Sequence, residues 1–417
     1  MNLQKIRLKW FVYVLLFLQV NSGCSLLRQD SNIIRPAKSL PASTPWDLIA
    51  LSKAPHYQWS HQEGPIWSLF YEGQDYKGRP TRVFAYFASP ATLDGKHTDT
   101  QRFPAVVLVH GGGGTAFKEW VRLWAERGYA AIAMDLAGCG PDRKRLPDGG
   151  PGQSHEDKFG TIDEPVQNQW TYHAVANVIL AHSLIRSFEE VDPARIAVTG
   201  ISWGGYLTCI VAGLDNRFKA AVPVYGCGFL HDNSAWLNEF AKMTLKQKAK
   251  WVRLWEPSMY IASASMPVFF VNGTNDFAYP LDSYAKTYGL VKGERNFRIT
   301  VNMPHGHQQG WAPIEIGLFI DEQLKDGLPL PRILRPQYRN NQIRAEVKAE
   351  TKLTSAALYY TVGTGPINKR EWHTVSGHLE GSCIVITPPP QEATVWFLTV
   401  KDERGAVVSS EIMFSHK

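Results

Sequence analysis

Residues 195–205 read RIAVTGISWGG, and the chain continues as YLTCIVAGL to Leu214. Arg195–Gly200 is an apolar, β-branched run of strand length, whereas Trp203 onward has the composition of a buried helix. Ser202 therefore stands on a strand-to-helix turn sharp enough to impose an unusual backbone conformation on it. Gly200, Gly204 and Gly205 keep side chains out of that turn. The hydroxyl would then project from the C-terminal edge of a sheet, at the start of a helix whose dipole favours negative charge. This predicts a nucleophile at Ser202.

Outward from this point, strand and helix patterns alternate. AVVLVH at 105–110 and AAIAMD at 130–135 read as strands, with a helix over 117–127 between them. A long helix is expected over 167–188. AAVPVY at 220–225, VFFVN at 268–272 and FRITVN at 297–302 give three more strands, and a helix follows over 313–324. Such alternation predicts an α/β class: a mostly parallel sheet with helices on both faces. Upstream, IWSLFYEG and TRVFAYFAS form an antiparallel pair. Residues 229–262 interrupt the rhythm with helical, tryptophan-bearing sequence and read as a small cap insertion. After a proline-rich linker at 329–339, residues 340–417 show only short alternating stretches, the pattern of a small C-terminal β-sandwich. The organisation expected is an export signal at 1–23, a tether at 24–55, a catalytic domain at 56–328, the linker and the β-sandwich.

Three further motifs fall where strands end. HGGGG at 110–114 follows the first strand of the series; its glycines let backbone N–H groups face a substrate. In acyl transfer, such an N–H and that of the residue after the nucleophile hold the oxyanion, here Gly112 and Trp203, with Gly111 and Gly113 shaping the loop. No GK[ST] or GxGxxG follows that would make the loop a phosphate site. His110 reads as a brace for the loop. Asp276, in NGTND, follows the strand at 268–272, and His305, in MPHGH, follows that at 297–302. The order serine, aspartate, histidine suits a triad in which His305 takes the serine proton and Asp276 fixes its tautomer. Asp282 is a rival acid but lies inside the next helix. His307 is a rival base; His305 is preferred because it directly follows Pro304 at the strand end. A third ligand that would turn the two histidines into a metal site is not evident, so neither metal nor cofactor is expected. Trp236, Trp255 and Trp311 are candidates for the walls of a substrate pocket, since aromatic faces suit sugar rings as well as apolar groups.

The chain of 417 residues is 44% hydrophobic and 20% charged, which excludes a disordered chain. It begins with Lys5, Arg7 and Lys9, an apolar run WFVYVLLFLQV, and then Asn21-Ser22-Gly23-Cys24. Positive, apolar, then small is the secretory pattern, and the run is too short to span a bilayer. Small residues before Cys24 resemble a bacterial lipoprotein cleavage site, which would attach the protein to a membrane through that cysteine. The protein is therefore expected to be exported, to the periplasm, the cell surface or the exterior. Without the three basic residues of the signal, the formal charge of +6 falls to +3. No basic cluster interleaved with aromatics remains, so nucleic acid is not an expected partner. Cys139, Cys209, Cys227 and Cys383 have neither CxxC spacing nor the density of a disulfide scaffold. Oligomeric state has no signature here.

HGGGG, GISWGG, NGTND and MPHGH, spread over residues 105–325, clearly resemble the α/β-hydrolase superfamily. The resemblance is strongest to the branch holding dienelactone hydrolases, acetyl xylan esterases and cephalosporin C deacetylases, beside the prolyl oligopeptidase-type peptidases. It implies a cofactor-free serine carboxylic-ester hydrolase acting on a small-molecule or carbohydrate ester. Dienelactone hydrolases use cysteine where this chain has Ser202. A serine peptidase is the alternative, although residues 25–100 cannot hold the propeller such peptidases usually carry. A third reading is a non-catalytic carbohydrate-binding protein on a hydrolase scaffold; the complete set of triad residues opposes it.

Overall fold

A computed structural model describes residues 33–34, 40, 44–95 and 102–415. Nine strands build the main sheet: β1 (Tyr57–His61), β2 (Trp67–Glu72), β3 (Arg82–Ala88), β4 (Phe103–Val109), β5 (Ala130–Met134), β6 (Val191–Ile201), β7 (Ala220–Val224), β8 (Val268–Gly273) and β9 (Arg295–Thr300). The helices are α1 (Leu48–Leu51), α2 (Pro90–Asp94), α3 (Lys118–Glu126), α4 (Trp170–Ile185), α5 (Trp203–Leu214), α6 (Leu237–Ala241), α7 (Leu245–Trp255), α8 (Leu281–Gly289), α9 (His307–Trp311) and α10 (Ile314–Lys325). Spatial order in the sheet is β1-β2-β3-β5-β4-β6-β7-β8-β9. The pairings among β1, β2, β3 and β5 are antiparallel, and all those from β5 to β9 are parallel. This is the expected α/β architecture.

Every residue of β4, β5, β7 and β8 is buried, which is why these strands read as unbroken apolar runs rather than alternations. Side chains of β6 alternate between the two helical layers. Thr199 faces a cavity lined by Trp120 of α3 and Ile316 of α10, and Ile201 meets α9 at Gly310. Gly200 faces α5 instead, where a Cβ would lie 2.5 Å from Thr208 Oγ1. All sixteen residues of α4 are buried, so its sequence lacks an amphipathic stripe. Its cover is partly a segment expected to be a tether. Trp46, Leu48 and Leu51 are buried, Trp46 donates its indole N–H to the Tyr172 carbonyl at 2.9 Å, and Ser183 donates to the Leu51 carbonyl. Residues 44–51 thus belong to the folded body.

The C-terminal strands are β10 (Arg332–Ile333), β11 (Gln337–Arg339), β12 (Gln342–Lys348), β13 (Leu353–Val362), β14 (His373–Glu380), β15 (Cys383–Ile386), β16 (Ala393–Asp402), β17 (Val407–Ser409) and β18 (Met413–Phe414). They are antiparallel, and β14 pairs with β13 through residues 373–377 and with β15 through residues 378–380, turning the corner between two sheets. The stretch read as a linker contains β10 and β11, both paired with β12. Nor does the module stand apart. β17 pairs with the edge strand β9 at Ser409 and Phe297, Ser409 Oγ accepts the Ile299 N–H at 2.9 Å, and buried Glu315 of α10 accepts the Val407 N–H at 2.7 Å. The module therefore covers what would otherwise be an open sheet edge.

Beneath α4 and α5 a buried ion network ties three segments. Arg217 donates from Nε and Nη2 to the Asp215 carboxylate at 2.8 and 2.7 Å, to Ser183 Oγ at 3.0 Å and to the Ser52 carbonyl at 3.2 Å. Burial holds the His182 imidazole down to about 4, so at neutral pH it is uncharged and donates Nδ1–H to Asp215 at 2.8 Å. Removing the guanidinium from this buried carboxylate is costly. We predict that Arg217→Met loses about 3–5 kcal/mol of unfolding free energy, measured by denaturant titration; a loss below about 1 kcal/mol would refute the network's role.

Candidate active site

Ser202 has φ +58° and ψ −118°, a conformation that a non-glycine residue adopts only when its surroundings enforce it. The enforcement is local and tight. Ser202 N–H donates to the Val224 carbonyl at 2.9 Å, and the Ser202 carbonyl accepts the Tyr206 N–H at 2.9 Å. A Cβ on Gly204 would run into the Val109 carbonyl, and one on Gly200 would run into the Gly204 carbonyl. A Cβ on Gly205 would sit 2.5 Å from the Val224 carbonyl oxygen. These glycines let α5 start in contact with β4, β6 and β7, and the turn carries Ser202 above the sheet.

His305 and Asp276 meet it there. Ser202 Oγ lies 2.9 Å from His305 Nε2, and His305 Nδ1 lies 2.7 Å from Asp276 Oδ2. Asp276 is buried, and its other oxygen accepts the N–H groups of Ala278 and Tyr279 at 2.9 and 2.7 Å. With both oxygens occupied, the carboxylate is fixed as an acceptor, which sets Nδ1 as the protonated nitrogen and leaves Nε2 free to accept from Ser202. Thr274 ties the two loops together by accepting the Asn302 N–H at 3.1 Å. The Tyr225 ring stacks on His305 at 4.5 Å, and its hydroxyl donates to the Pro304 carbonyl at 2.9 Å. Tyr225 has φ +61°. Asp282, the rival acid, is engaged by Asn233 Nδ2 at 2.9 and 3.0 Å.

His307 does something else. Its Nε2 accepts the Gly111 N–H at 2.9 Å, and its ring packs on Phe117 at 4.7 Å. His110 braces the same loop: Nδ1–H donates to the Gly111 carbonyl at 2.7 Å and Nε2 accepts the Leu136 N–H at 2.9 Å. Burial lowers both imidazoles to about 4, so both are neutral at pH 7, as an acceptor nitrogen must be. The braced loop lies against the nucleophile. A Cβ on Gly111 would be 2.9 Å from Ser202 Cβ, and one on Gly112 would be 2.9 Å from Trp203 Cδ1. Gly113 takes φ +66° at the turn of the loop. Trp203 begins α5, where helix geometry leaves its N–H without an intrahelical partner. Gly112 is thereby packed against Trp203, the residue that follows the nucleophile.

Of the tryptophans proposed for a pocket wall, Trp236 packs on Trp203 at 4.6 Å and on Tyr279 at 5.1 Å, beside the triad. Trp255 does not fit that role. It is 1% exposed, its indole N–H donates to Gln169 Oε1 at 2.8 Å, and it packs on Trp46, which makes it core. Its position in the cap sequence could not reveal that the cap's inner face is itself sealed. Trp311 packs on Phe117 and Trp120, on the α3 side of the sheet. Phe277, 60% exposed and 5.1 Å from His305, was not singled out in the sequence, nor was Tyr225. The glycines of YGCG at 225–228 are the one local hint at Tyr225. Cys24 lies outside the described residues; Cys139, Cys209, Cys227 and Cys383 are free thiols.

Residues 57–246 match the acetyl xylan esterase family, and residues 236–365 match the family of PhoPQ-activated pathogenicity-related protein. The chain is 24% identical over 233 residues to the uncharacterized peptidase YuxL of Bacillus subtilis, covering 50% of this chain and 31% of YuxL. It is 23% identical over 214 residues to the acetyl esterase Axe7A of Xylanibacter ruminicola, covering 48% of each. It thus spans less than half the length of these curated relatives. Among solved structures, the acetyl xylan esterase from Paenibacillus sp. R4 superposes with a TM-score of 0.54 at 24% identity, covering 70% of this chain and 98% of that one. Acetyl xylan esterase 1 from Thermoanaerobacterium sp. JW/SL YS485 gives 0.51 at 16% identity with the same coverage. These superpositions establish the fold.

The two histidines yield opposite expectations. His305→Ala should lower kcat by at least about 10³-fold with little change in stability, whereas His307→Gln should act mainly on the loop. An unfolded histidine binds a proton below about pH 6.5, while His307 in the folded protein resists one until about 4. The folded state therefore loses stability as pH falls through that window. Denaturant titrations at pH 7 and pH 5 should show a smaller loss for His307→Gln than for the wild type; equal losses would refute the assignment.

Proposed function

We propose that this chain, whose fold is that of the α/β-hydrolases, is a serine carboxylic-ester hydrolase that removes acetyl groups from carbohydrate. The observation that carries the reading is the hydrogen-bonded relay from Ser202 through His305 to Asp276, beside two backbone N–H groups on a braced glycine loop and a helix start. The match of residues 57–246 to the acetyl xylan esterase family supports the acetyl specificity.

Ser202 Oγ attacks the ester carbonyl while its proton passes to His305 Nε2. Asp276, with both oxygens engaged, stabilises the imidazolium that forms and keeps it from turning. Negative charge gathers on the carbonyl oxygen, which the N–H groups of Gly112 and Trp203 receive. These donors are held in place before the reaction begins, so no reorganisation is needed when charge develops. Collapse of the tetrahedral intermediate expels the sugar alkoxide, which takes the proton from His305. Water then enters, His305 removes its proton, and the acetyl-enzyme is hydrolysed with Ser202 restored. The chemistry requires no cofactor.

The likeness to YuxL motivates a peptidase as second reading. The two separate by substrate: acetylated xylo-oligosaccharides and p-nitrophenyl acetate should be turned over, and aminoacyl p-nitroanilides should not. Ser202→Ala should lower kcat/KM on p-nitrophenyl acetate by about 10³-fold or more. Undiminished turnover would sink the mechanism, and a preference for the anilides would favour the peptidase. The amino-terminal pattern ending at Cys24 supports export with lipid attachment. Radiolabelled palmitate should enter the wild-type protein in an expressing bacterium and not the Cys24→Ala variant; equal labelling would exclude that anchor.

A further inference from the structure

Two cations near the triad have no partner of their own. Lys158 lies on a π-helical turn, Glu156–Gly160, between β5 and α4. It is 7% exposed, yet among the described residues its ammonium makes no hydrogen bond or ion pair. It rests 4.8 Å from the centre of the Trp203 ring and 5.7 Å from that of Trp170. Its neighbour Asp157 accepts the Ser154 N–H and Oγ–H at 2.8 and 2.6 Å and acts on the ammonium only through space. Burial pushes the ammonium down to about 8, which leaves it mainly charged at neutral pH. Cation–π attraction offsets only part of the cost of burying such a charge. Trp203 is also the residue whose ring touches the Gly112 loop and whose N–H faces the nucleophile, so the unpaired ammonium stands one indole away from the reacting centre. Single π-helical turns are rare and recur at functional sites.

Arg143 approaches from the loop on the other side. It is exposed and, among the described residues, makes no hydrogen bond or ion pair. Its charge acts on both His110 and His307, adding to the burial that keeps them neutral. Asp142 and Arg143 both take left-handed backbone, with φ +57° and +60°, a conformation disfavoured for either residue. Of the acids nearby, Asp276 is engaged by His305 and two N–H groups and Glu256 by the N–H groups of Phe229 and Leu230, while Asp135 accepts the N–H groups of Ala137 and Cys139 through one oxygen only.

We infer that this site selects anionic substrates, with Lys158 and Arg143 receiving a carboxylate borne by the sugar, so that the preferred esters are acetyl groups on uronate-containing carbohydrate. The inference rests on the esterase reading and specifies its alcohol side. An ammonium beside Trp203 and a guanidinium whose charge reaches His110 and His307 attract a carboxylate directly and raise its local concentration.

The test compares kcat/KM for acetylated galacturonate oligomers and acetylated xylo-oligosaccharides, with p-nitrophenyl acetate as a neutral reporter of the triad. The wild type should favour the acidic oligomers by about tenfold or more at low salt, and the preference should shrink as ionic strength rises. Lys158→Met and Arg143→Gln should each lower the acidic-to-neutral ratio by about tenfold, and Lys158→Arg should restore most of it. Arg143→Gln, on an exposed loop, keeps the test open if Lys158→Met fails to fold. Equal wild-type rates on the two oligomers, or variants that lower both by one factor, would overturn the inference while p-nitrophenyl acetate is still hydrolysed. Failure on p-nitrophenyl acetate as well would bring down the esterase reading and this inference with it.

Discussion

The site depends on one strained turn. Ser202 is held at φ +58° because β6 ends against β7 and α5 begins against β4, with no room for a side chain at Gly200, Gly204 or Gly205. Hydrogen bonds to Val224 and from Tyr206 hold the turn from both sides. That geometry sets the surroundings of the hydroxyl. The hydroxyl is lifted to His305, the first N–H of α5 is left free at Trp203, and the indole of Trp203 is laid against the glycine loop. The strain is sustained by the buried parallel sheet beneath it, whose central strands admit no solvent-facing residue.

His305 and His307 are two residues apart and chemically identical in sequence, yet the fold gives them different work. His305 is half-sheltered between Tyr225 and Phe277 and bonded to a carboxylate and a hydroxyl. His307 is bonded to a backbone N–H and depressed by burial. One is therefore placed to take a proton from Ser202, and the other holds its place only while neutral. His110 repeats the second role on the same loop. The glycine loop thus owes its placement to two neutral imidazoles, which links loop geometry to pH in the window where those imidazoles would otherwise charge.

Sequence period and motif context carry the sheet, the order of the triad and the glycine loop because each depends on local pattern: apolar runs of strand length, glycines at fixed offsets, and catalytic residues at strand ends. The assignments that differ all concern long-range packing. Residues 44–51 have too little periodicity to read as structure, but Trp46 reaches Tyr172 and covers α4. The proline-rich stretch after α10 contains β10 and β11, whose partner β12 follows them in the chain. Trp255 stands in the cap sequence beside Trp236, yet it points into the core and bonds Gln169. Nothing local distinguishes these outcomes.

Residue type and spacing alone place a serine at position 202 on a strand-to-helix turn, an aspartate and a histidine at the ends of later parallel strands, and a glycine loop at the end of an earlier one. Those features are written in residue type and spacing, because backbone sterics and hydrophobic period act over a few residues. Only the tertiary structure decided which histidine bonds Ser202, which tryptophan flanks the triad, and that the C-terminal strands extend the sheet edge at β9. It also decided the burial of Lys158, one lysine in the polar stretch GQSHEDKFG, against Trp203 with no hydrogen-bonded or ion-paired partner among the described residues. A charge acquires that meaning only when the neighbours that fail to neutralise it have been brought together from distant parts of the chain.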